Sequence, residues 1–249
     1  MFVPRTLLTR SISIVIPAYN EESRLPETLR RIEEYFVTAP WDQHEIIVVD
    51  DGSRDGTVAA ANAFASRNAN MRVVKNPGNR GKGYSVRHGM LEAKLDWCLF
   101  TDADLSTPIE ELEKLWAAVV RENAQVAIGS RALDRSLVGV HQSAFREASG
   151  RFFNTVMRLT IGLPIQDTQC GFKLFRRDVA RDSFKRQTLE RWGFDVEVLF
   201  IAQRRGNKIA EVAVRWDNAE GSKLSIWSGA TAFWELAKVR INHLRGLYR

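Results

Sequence analysis

The chain has 249 residues, of which 45% are hydrophobic, enough for a sizeable buried core without disulfide or metal staples. Its two cysteines, Cys98 and Cys170, lack metal-ligand spacing and exclude a disulfide framework, which points to a reducing compartment. The net charge of +6 is uneven: residues 1–125 carry 15 Lys/Arg against 18 Asp/Glu, whereas residues 126–249 carry 21 against 12.

The cationic excess after residue 125 is either a solvated face or a surface for an anion, whether nucleic acid, an anionic membrane or a phosphorylated substrate. Zinc-finger spacing, RNA-recognition aromatics and a continuous Lys/Arg block are all missing, which sets nucleic acid aside. No apolar run approaches the roughly 20 residues of a transmembrane helix, and residues 1–10 lack the apolar stretch of a signal peptide. The sequence therefore predicts a cytoplasmic protein, soluble or in peripheral contact with the cytoplasmic face of a membrane.

In chain order, the apolar period predicts strands over 11–17, 45–50, 72–75, 97–101 and 125–130. Helical patterns intervene over 23–37, 55–68, 82–94 and 108–121, with Thr107 as the expected cap of the last. Strands alternating with helices of this length imply βαβ units and a mainly parallel sheet. Beyond residue 130 a long helix is expected over 141–161, broken by Gly162-Leu163-Pro164. A strand over 169–175, a helix over 193–205, a strand over 209–216 and a closing helix over 227–247 complete the prediction. With no repeat, low-complexity tract or Pro/Ser-rich linker, a single α/β domain is expected.

The chemically informative residues fall at the carboxyl ends of these strands, where open parallel sheets bind ligands. They are Pro17-Ala18-Tyr19-Asn20-Glu21, Asp50-Asp51-Gly52-Ser53 and Asp102-Ala103-Asp104. Two carboxylates two residues apart at a sheet edge repel each other unless a cation or a set of donors compensates them. A hard divalent ion, Mg²⁺ or Mn²⁺, shared with substrate phosphates would do so; the alternative is that one of them caps the next helix. Gly78-Asn79-Arg80-Gly81-Lys82-Gly83 is neither a P-loop nor a dinucleotide fingerprint. It is either an ordinary strand-to-helix connection or a close approach to a nucleotide at a helix N-terminus.

Taken together, Ile14-Val15-Ile16-Pro17-Ala18-Tyr19-Asn20-Glu21, Val48-Val49-Asp50-Asp51-Gly52-Ser53, Asn79-Arg80-Gly81-Lys82-Gly83 and Asp102-Ala103-Asp104 resemble the successive signatures of the GT-A, family 2 glycosyltransferases. Within that family, Asp167-Thr168-Gln169-Cys170-Gly171-Phe172-Lys173-Leu174-Phe175 is similar to the dolichyl-phosphate β-glucosyltransferases. So are Glu190-Arg191-Trp192-Gly193-Phe194-Asp195-Val196-Glu197 and Glu220-Gly221-Ser222-Lys223-Leu224; the wider polyprenyl-phosphate group, mannosyl enzymes included, shares the pattern more loosely. The resemblance implies a Rossmann-like GT-A domain over 1–226, with a nucleotide-sugar half at about 11–131 and an acceptor half at about 132–226. A C-terminal amphipathic helix would occupy 227–249. The resemblance implies an N-terminal membrane helix in the eukaryotic glucosyl enzymes, which residues 1–10 are not expected to form.

The same resemblance implies a division of roles. Ala18, Tyr19 and Glu21 would line the base pocket with Pro17 also binding the donor nucleotide, Asp51 would meet base or ribose, and Asp50 would be the structural partner. Lys82, Asp102, Ala103 and Arg131 would face the rest of the donor, with Asp104 and Asp102 holding Mg²⁺ or Mn²⁺. Arg146, Ser149 and Lys223 would receive the acceptor phosphate, although Arg146 suits an ion pair with an acidic neighbour almost as well. Asp167 and Asp195 would orient the acceptor or act as base, with Glu197 as an outside candidate. The expected reaction is inverting transfer of a hexosyl group from UDP-glucose, or alternatively GDP-mannose, to a polyprenyl or dolichyl phosphate. A family 2 enzyme with a soluble acceptor is the other alternative.

Membrane contact has a separate basis in the sequence. Trp227, Ala230, Trp234, Ala237, Ile241, Leu244 and Tyr248 recur at intervals of three and four, one stripe of a helix bordered by Lys238, Arg245 and Arg249. Such a helix either lies in an anionic bilayer interface or packs on the protein core or a second subunit.

Overall fold

The computed structural model describes residues 9–139, 161–217 and 228–249, the first six of the last segment by backbone alone. The expected long helix over 141–161, with Arg146 and Ser149, and the segment carrying Lys223 lie almost wholly outside the described residues.

A seven-stranded sheet organises the described chain, in the order β3-β2-β1-β4-β6-β5-β7. Its strands are β1 (Ser11–Ala18), β2 (Gln43–Asp50), β3 (Met71–Lys75), β4 (Trp97–Thr101), β5 (Val126–Ser130), β6 (Phe172–Arg176) and β7 (Ile209–Ala213). The first five match the expected strands to within two residues. Runs such as Ile14-Val15-Ile16 and Ile46-Ile47-Val48-Val49 are buried on both faces, which is why they read as continuous apolar stretches rather than alternating ones. Every pairing is parallel except those of β6, which runs antiparallel between β4 and β5.

The helices are α1 (Leu25–Thr38), α2 (Thr57–Ala65), α3 (Lys82–Glu92), α4 (Leu112–Glu122), α5 (Arg177–Arg186), α6 (Phe194–Arg204) and α7 (Ser228–Leu244). They cover the sheet in two layers. Leu25, Leu29 and Ile32 of α1 and Leu112, Leu115 and Val119 of α4 meet one face, while Val86 and Met90 of α3 and most of α6 meet the other. Each such side chain contributes about 1.5–3 kcal/mol by leaving water.

Two local expectations are corrected. Thr107 does not cap the fourth helix, because a single 3-10 turn, Ile109–Glu111, precedes α4, and the Thr107 hydroxyl lies 3.8 Å from Cys170 Sγ. Helix α5 has no counterpart among the expected elements. Its segment Arg177–Arg186 is dominated by charged residues, and Val179, Ala180 and Phe184 are its apolar members.

The antiparallel run of β6 has a consequence for chemistry. Its N-terminal end, preceded by Asp167, Cys170 and Gly171, lies at the edge where β1, β2, β4 and β5 finish. The N-terminus of α6 brings Phe194 and Asp195 toward the same charges.

Candidate active site

Three loops from the parallel strands form one side of the site. After β2, Asp51 is buried and accepts hydrogen bonds from the backbone N–H groups of Arg80 (2.9 Å) and Gly81 (2.8 Å) and from Asn76 Nδ2 (2.8 Å). Asp50 accepts from Ser53 N at 3.0 Å. Both oxygens of Asp51 thus hold the 78–83 turn in place, so the carboxylate expected at the base or ribose also has a structural task.

That turn delivers Lys82 at the start of α3. Gly81 has φ +105°, a backbone region open to glycine, and a Cβ there would lie 2.8 Å from Glu190 O. Lys82 Nζ pairs with Asp102 Oδ1 at 2.6 Å. Burial works against the ammonium charge, but Asp102, Asp195 and Asp104 outweigh it and hold the Lys82 pKa above its ordinary value.

After β4, Asp102 and Asp104 are separated by Ala103, whose carbonyl accepts from Thr28 Oγ1 at 2.6 Å. Asp104 Oδ1 accepts from Ser106 N (3.0 Å), and Oδ2 lies 4.0 Å from Arg24. Asp104 therefore does ordinary turn work with one oxygen. Arg24 makes a fork with Glu21, at 2.7 and 2.8 Å, occupying both oxygens of the carboxylate expected in the base pocket. Tyr19 is 36% exposed and available to a ligand.

Asp102 needs the residue opposite it to be glycine. A Cβ on Gly171, next to the start of β6, would stand 2.1 Å from Asp102 Oδ2. This is a strand-pairing effect, since Thr101 and Phe172 are partners in the β4–β6 ladder.

The remaining charges form two pairs. Arg131, just after β5, donates to Asp167 through Nε (2.7 Å), Nη2 (2.9 Å) and its own backbone N–H (3.0 Å). Burial disfavours the Asp167 carboxylate, yet Arg131 more than compensates and draws its pKa below the usual range. Lys173 is wholly buried in β6 and donates to Asp195 and to the Cys170 carbonyl, the latter at 2.6 Å. Burial pushes the Asp195 pKa up, and the opposing charges of Lys173 and Lys82 do not fully cancel that push.

The structure thus brings Lys82, Asp102, Asp104, Arg131, Asp167 and Asp195 to one end of the sheet, with Pro17–Glu21 and Asp51 beside them. Lys173, Arg24 and Gly171 join them without having been singled out by role. Lys173 left one trace: a lone cation in the apolar run of β6 must find a buried partner.

Among the described residues, no group of three or more His, Cys, Asp or Glu side chains forms a metal cage. The two carboxylates present are hard oxygen donors with side chains 36% and 25% exposed. That set suits a divalent ion that takes its other ligands from a diphosphate and water.

The model of glycosyl transferase family 2 matches residues 13–184. A Drosophila melanogaster protein named dolichyl-phosphate beta-glucosyltransferase is 39% identical over 96% of this chain and 77% of the relative. Its Homo sapiens namesake is 37% identical over 97% of this chain and 78% of the relative; that of Saccharomyces cerevisiae is 32% identical over 96% and 76%. Among solved structures, glucosyl-3-phosphoglycerate synthase from Mycobacterium tuberculosis in complex with UDP superposes with a TM-score of 0.67. It covers 92% of this chain and 80% of that one at 20% identity, which shows the shared fold. The complex of the same synthase with Mn²⁺, UDP and glucosyl-3-phosphoglycerate gives a TM-score of 0.67 at 21% identity, with the same coverage.

Proposed function

The chain belongs to glycosyl transferase family 2, and on that premise we propose that it transfers glucose from UDP-glucose to a dolichyl-type polyprenyl phosphate. The observation that carries this reading is the Lys82–Asp102 pair at 2.6 Å, with Asp104 on the same strand end. It sets a cation and two carboxylates where open α/β sheets receive a diphosphate. The acceptor is the one for which the relatives are named, and the nucleotide of the donor is the one bound in the solved neighbours.

In this reading the acceptor phosphate oxygen forms a bond to the anomeric carbon as the bond from that carbon to the nucleoside diphosphate breaks. The electron pair leaves with the diphosphate. A lipid monophosphate is already anionic at neutral pH, so the protein's task is positioning and charge stabilisation more than strong base catalysis. Lys82 stabilises the departing diphosphate through its ammonium group. Asp104 and Asp102 would hold Mg²⁺ or Mn²⁺, which when bound neutralises the same developing charge. Asp195, with a raised pKa and Lys173 behind it, orients the acceptor or receives a residual proton. Arg131 presents its outer edge while Asp167 holds its fork. In-line attack inverts the anomeric centre and gives a β-linked product.

The described residues include no helix long and apolar enough to cross a membrane. A peripheral contact at the cytoplasmic face fits the exposed side of α7, where Trp234, Ile241 and Leu244 face outward with Lys238 and Arg245.

A radiolabel transfer assay tests the whole reading. Protein, Mg²⁺ or Mn²⁺ and a short polyprenyl phosphate are supplied with UDP-glucose or GDP-mannose, and the organic phase is counted. Label from UDP-glucose that is lost in Asp104→Ala is the expected result. Label from GDP-mannose alone moves the chain to the mannosyl branch, and absence of lipid label with nucleotide bound points to a soluble acceptor. An α-linked product overturns the inverting mechanism.

A further inference from the structure

Residues 187–193 form a strap that links the C-terminal helix to the turn bearing Lys82. On the upper side the strap lies against that turn. Glu190 O accepts from Tyr84 N at 3.0 Å, Gln187 Nε2 donates to Gly83 O at 2.9 Å, and Glu190 pairs with Arg80 at 2.7 Å. Backbone contact is close enough that a Cβ on Gly83 would stand 2.9 Å from Arg191 O. The strap also places the Trp192 ring 5.8 Å from Lys82 Nζ.

On the lower side two carboxylates grip the strap. Glu197, in α6 and wholly buried, accepts from Thr188 N (3.0 Å), Thr188 Oγ1 (2.6 Å), Leu189 N (2.8 Å) and Tyr248 Oη (2.6 Å). Glu235, in α7, accepts from Gly193 N at 2.7 Å. Asn242 of α7 adds a bond to Thr188 Oγ1 at 2.9 Å. Hydrogen bonds to a charged acceptor are among the stronger ones, and backbone N–H donors leave little freedom in the segment they fix. The C-terminal residues therefore reach the donor loop through hydrogen bonds across two contact layers.

We propose that Glu197 and Glu235 are positioning residues for Lys82: they fix the 187–193 strap from α6 and α7, and the strap sets where Lys82 stands against the donor diphosphate. The role of Lys82 rests on the function proposed above; the mechanical link to α7 does not. Tyr248 is the outer clamp, turning back after α7 ends at Leu244 so that its ring packs near Phe200 and its hydroxyl reaches Glu197. The reach matters because α7 also carries the exposed Trp234 face, so an element at the protein's periphery bears on the donor site.

The test uses Tyr248→Phe, which keeps the ring, and Glu235→Ala with Glu235→Gln as its conservative counterpart. Amide hydrogen exchange over residues 80–85 reads the link itself. Exchange at Tyr84, whose N–H donates to Glu190 O, should quicken in Tyr248→Phe and Glu235→Ala and return toward normal in Glu235→Gln. UDP affinity reads the consequence. Both variants should weaken UDP roughly 3- to 10-fold, and neither should weaken it further in a Lys82→Ala background, because the effect is routed through that side chain. Unchanged exchange at Tyr84 in both variants overturns the proposal, as does a loss of affinity that simply adds to that of Lys82→Ala. If the unaltered protein binds no UDP, the nucleotide assignment fails and the exchange result alone decides the link.

Discussion

Lys173 and Asp195 meet inside the protein with side chains only 0% and 4% exposed, one from β6 and the other from the first turn of α6. An ion pair so removed from water is worth little against an apolar pair of the same shape, but breaking it from one side is costly. Lys173→Met should therefore destabilise the fold by about 3–5 kcal/mol, limited by how readily Asp195 takes up a proton. Lys173→Met/Asp195→Asn should recover part of that loss in urea unfolding. Equal instability of the single and double variants would count against the pair.

The same pair sets a pH dependence. Burial raises the Asp195 pKa and Lys173 opposes the rise. A carboxyl group whose folded pKa exceeds its unfolded value, near 3.9, binds more protons when folded, so its contribution to stability falls as pH rises through that window. If Asp195 works as the anion, activity has an acidic limb above the usual carboxylate range. Retaining only residual activity, Lys173→Met should show that limb at higher pH, because the opposing charge is gone. A pH–rate profile of unchanged shape would remove Asp195 as the titrating group.

Asp167 behaves in the opposite sense. Its folded pKa is lowered because Arg131 outweighs the burial penalty, so its contribution is present above the unfolded pKa and is lost as pH falls below about 4. Asp167→Asn should be less stable than the unaltered protein at pH 7 by about 2 kcal/mol, less than for a fully buried pair because the Arg131 side chain keeps 34% exposure. The gap should narrow as the pH falls below about 4 and close only below the lowered folded pKa, as followed by thermal unfolding.

Much of this arrangement is legible in the sequence, and what is not has identifiable causes. The doubly buried β1, β2 and β4 read directly as apolar runs, so Asp51, Asp102 and Asp104 follow as residues at strand ends, and Lys82 as a residue of a strand-to-helix connection. The direction of β6 is not written in residues 169–175, because a buried strand looks alike in either sense. That direction decides whether Asp167 and Gly171 reach the site edge or the opposite one. The partners of Asp51 are also hidden, since two of its three donors are backbone N–H groups that any residue supplies. The C-terminal stripe was readable as periodicity, but its packing was not. Leu236 and Val239 turn inward, Trp234, Ile241 and Leu244 stay out, and Tyr248 leaves the stripe because the helix ends at Leu244.

Gly171 gives a test that separates folding from chemistry. A Cβ there would stand 2.1 Å from Asp102 Oδ2, and the atoms that must yield belong to the side chain rather than to the sheet. Gly171→Ala should therefore fold, with Asp102 rotated away from Lys82. Misplacing a charge-bearing group by about 1 Å costs on the order of a hundredfold in rate. The expected result is a kcat reduced by about that factor with a melting temperature within a few degrees of normal. Normal activity would mean that Asp102 need not hold its observed position.

The outward face of α7 combines apolar and cationic side chains. Trp234 is 60% exposed, Ile241 38% and Leu244 82%, and Lys238 and Arg245, the latter just past the helix end, are exposed as well. An aromatic and two aliphatic side chains among cations suit the interface of an anionic bilayer. Removing the exposed part of Trp234 from water is worth about 1–2 kcal/mol, so Trp234→Ala should lower partitioning into vesicles roughly tenfold. Each of the two cations adds about 1 kcal/mol near an anionic surface, and that share is screened by salt. Flotation with phosphatidylserine-containing vesicles should thus show binding that weakens in Trp234→Ala at all salt concentrations. In Lys238→Ala/Arg245→Ala the loss should be confined to low salt. Equal binding by all three proteins would place the membrane contact elsewhere on the chain, and binding that rises with protein concentration but not with lipid would assign the face to a second copy.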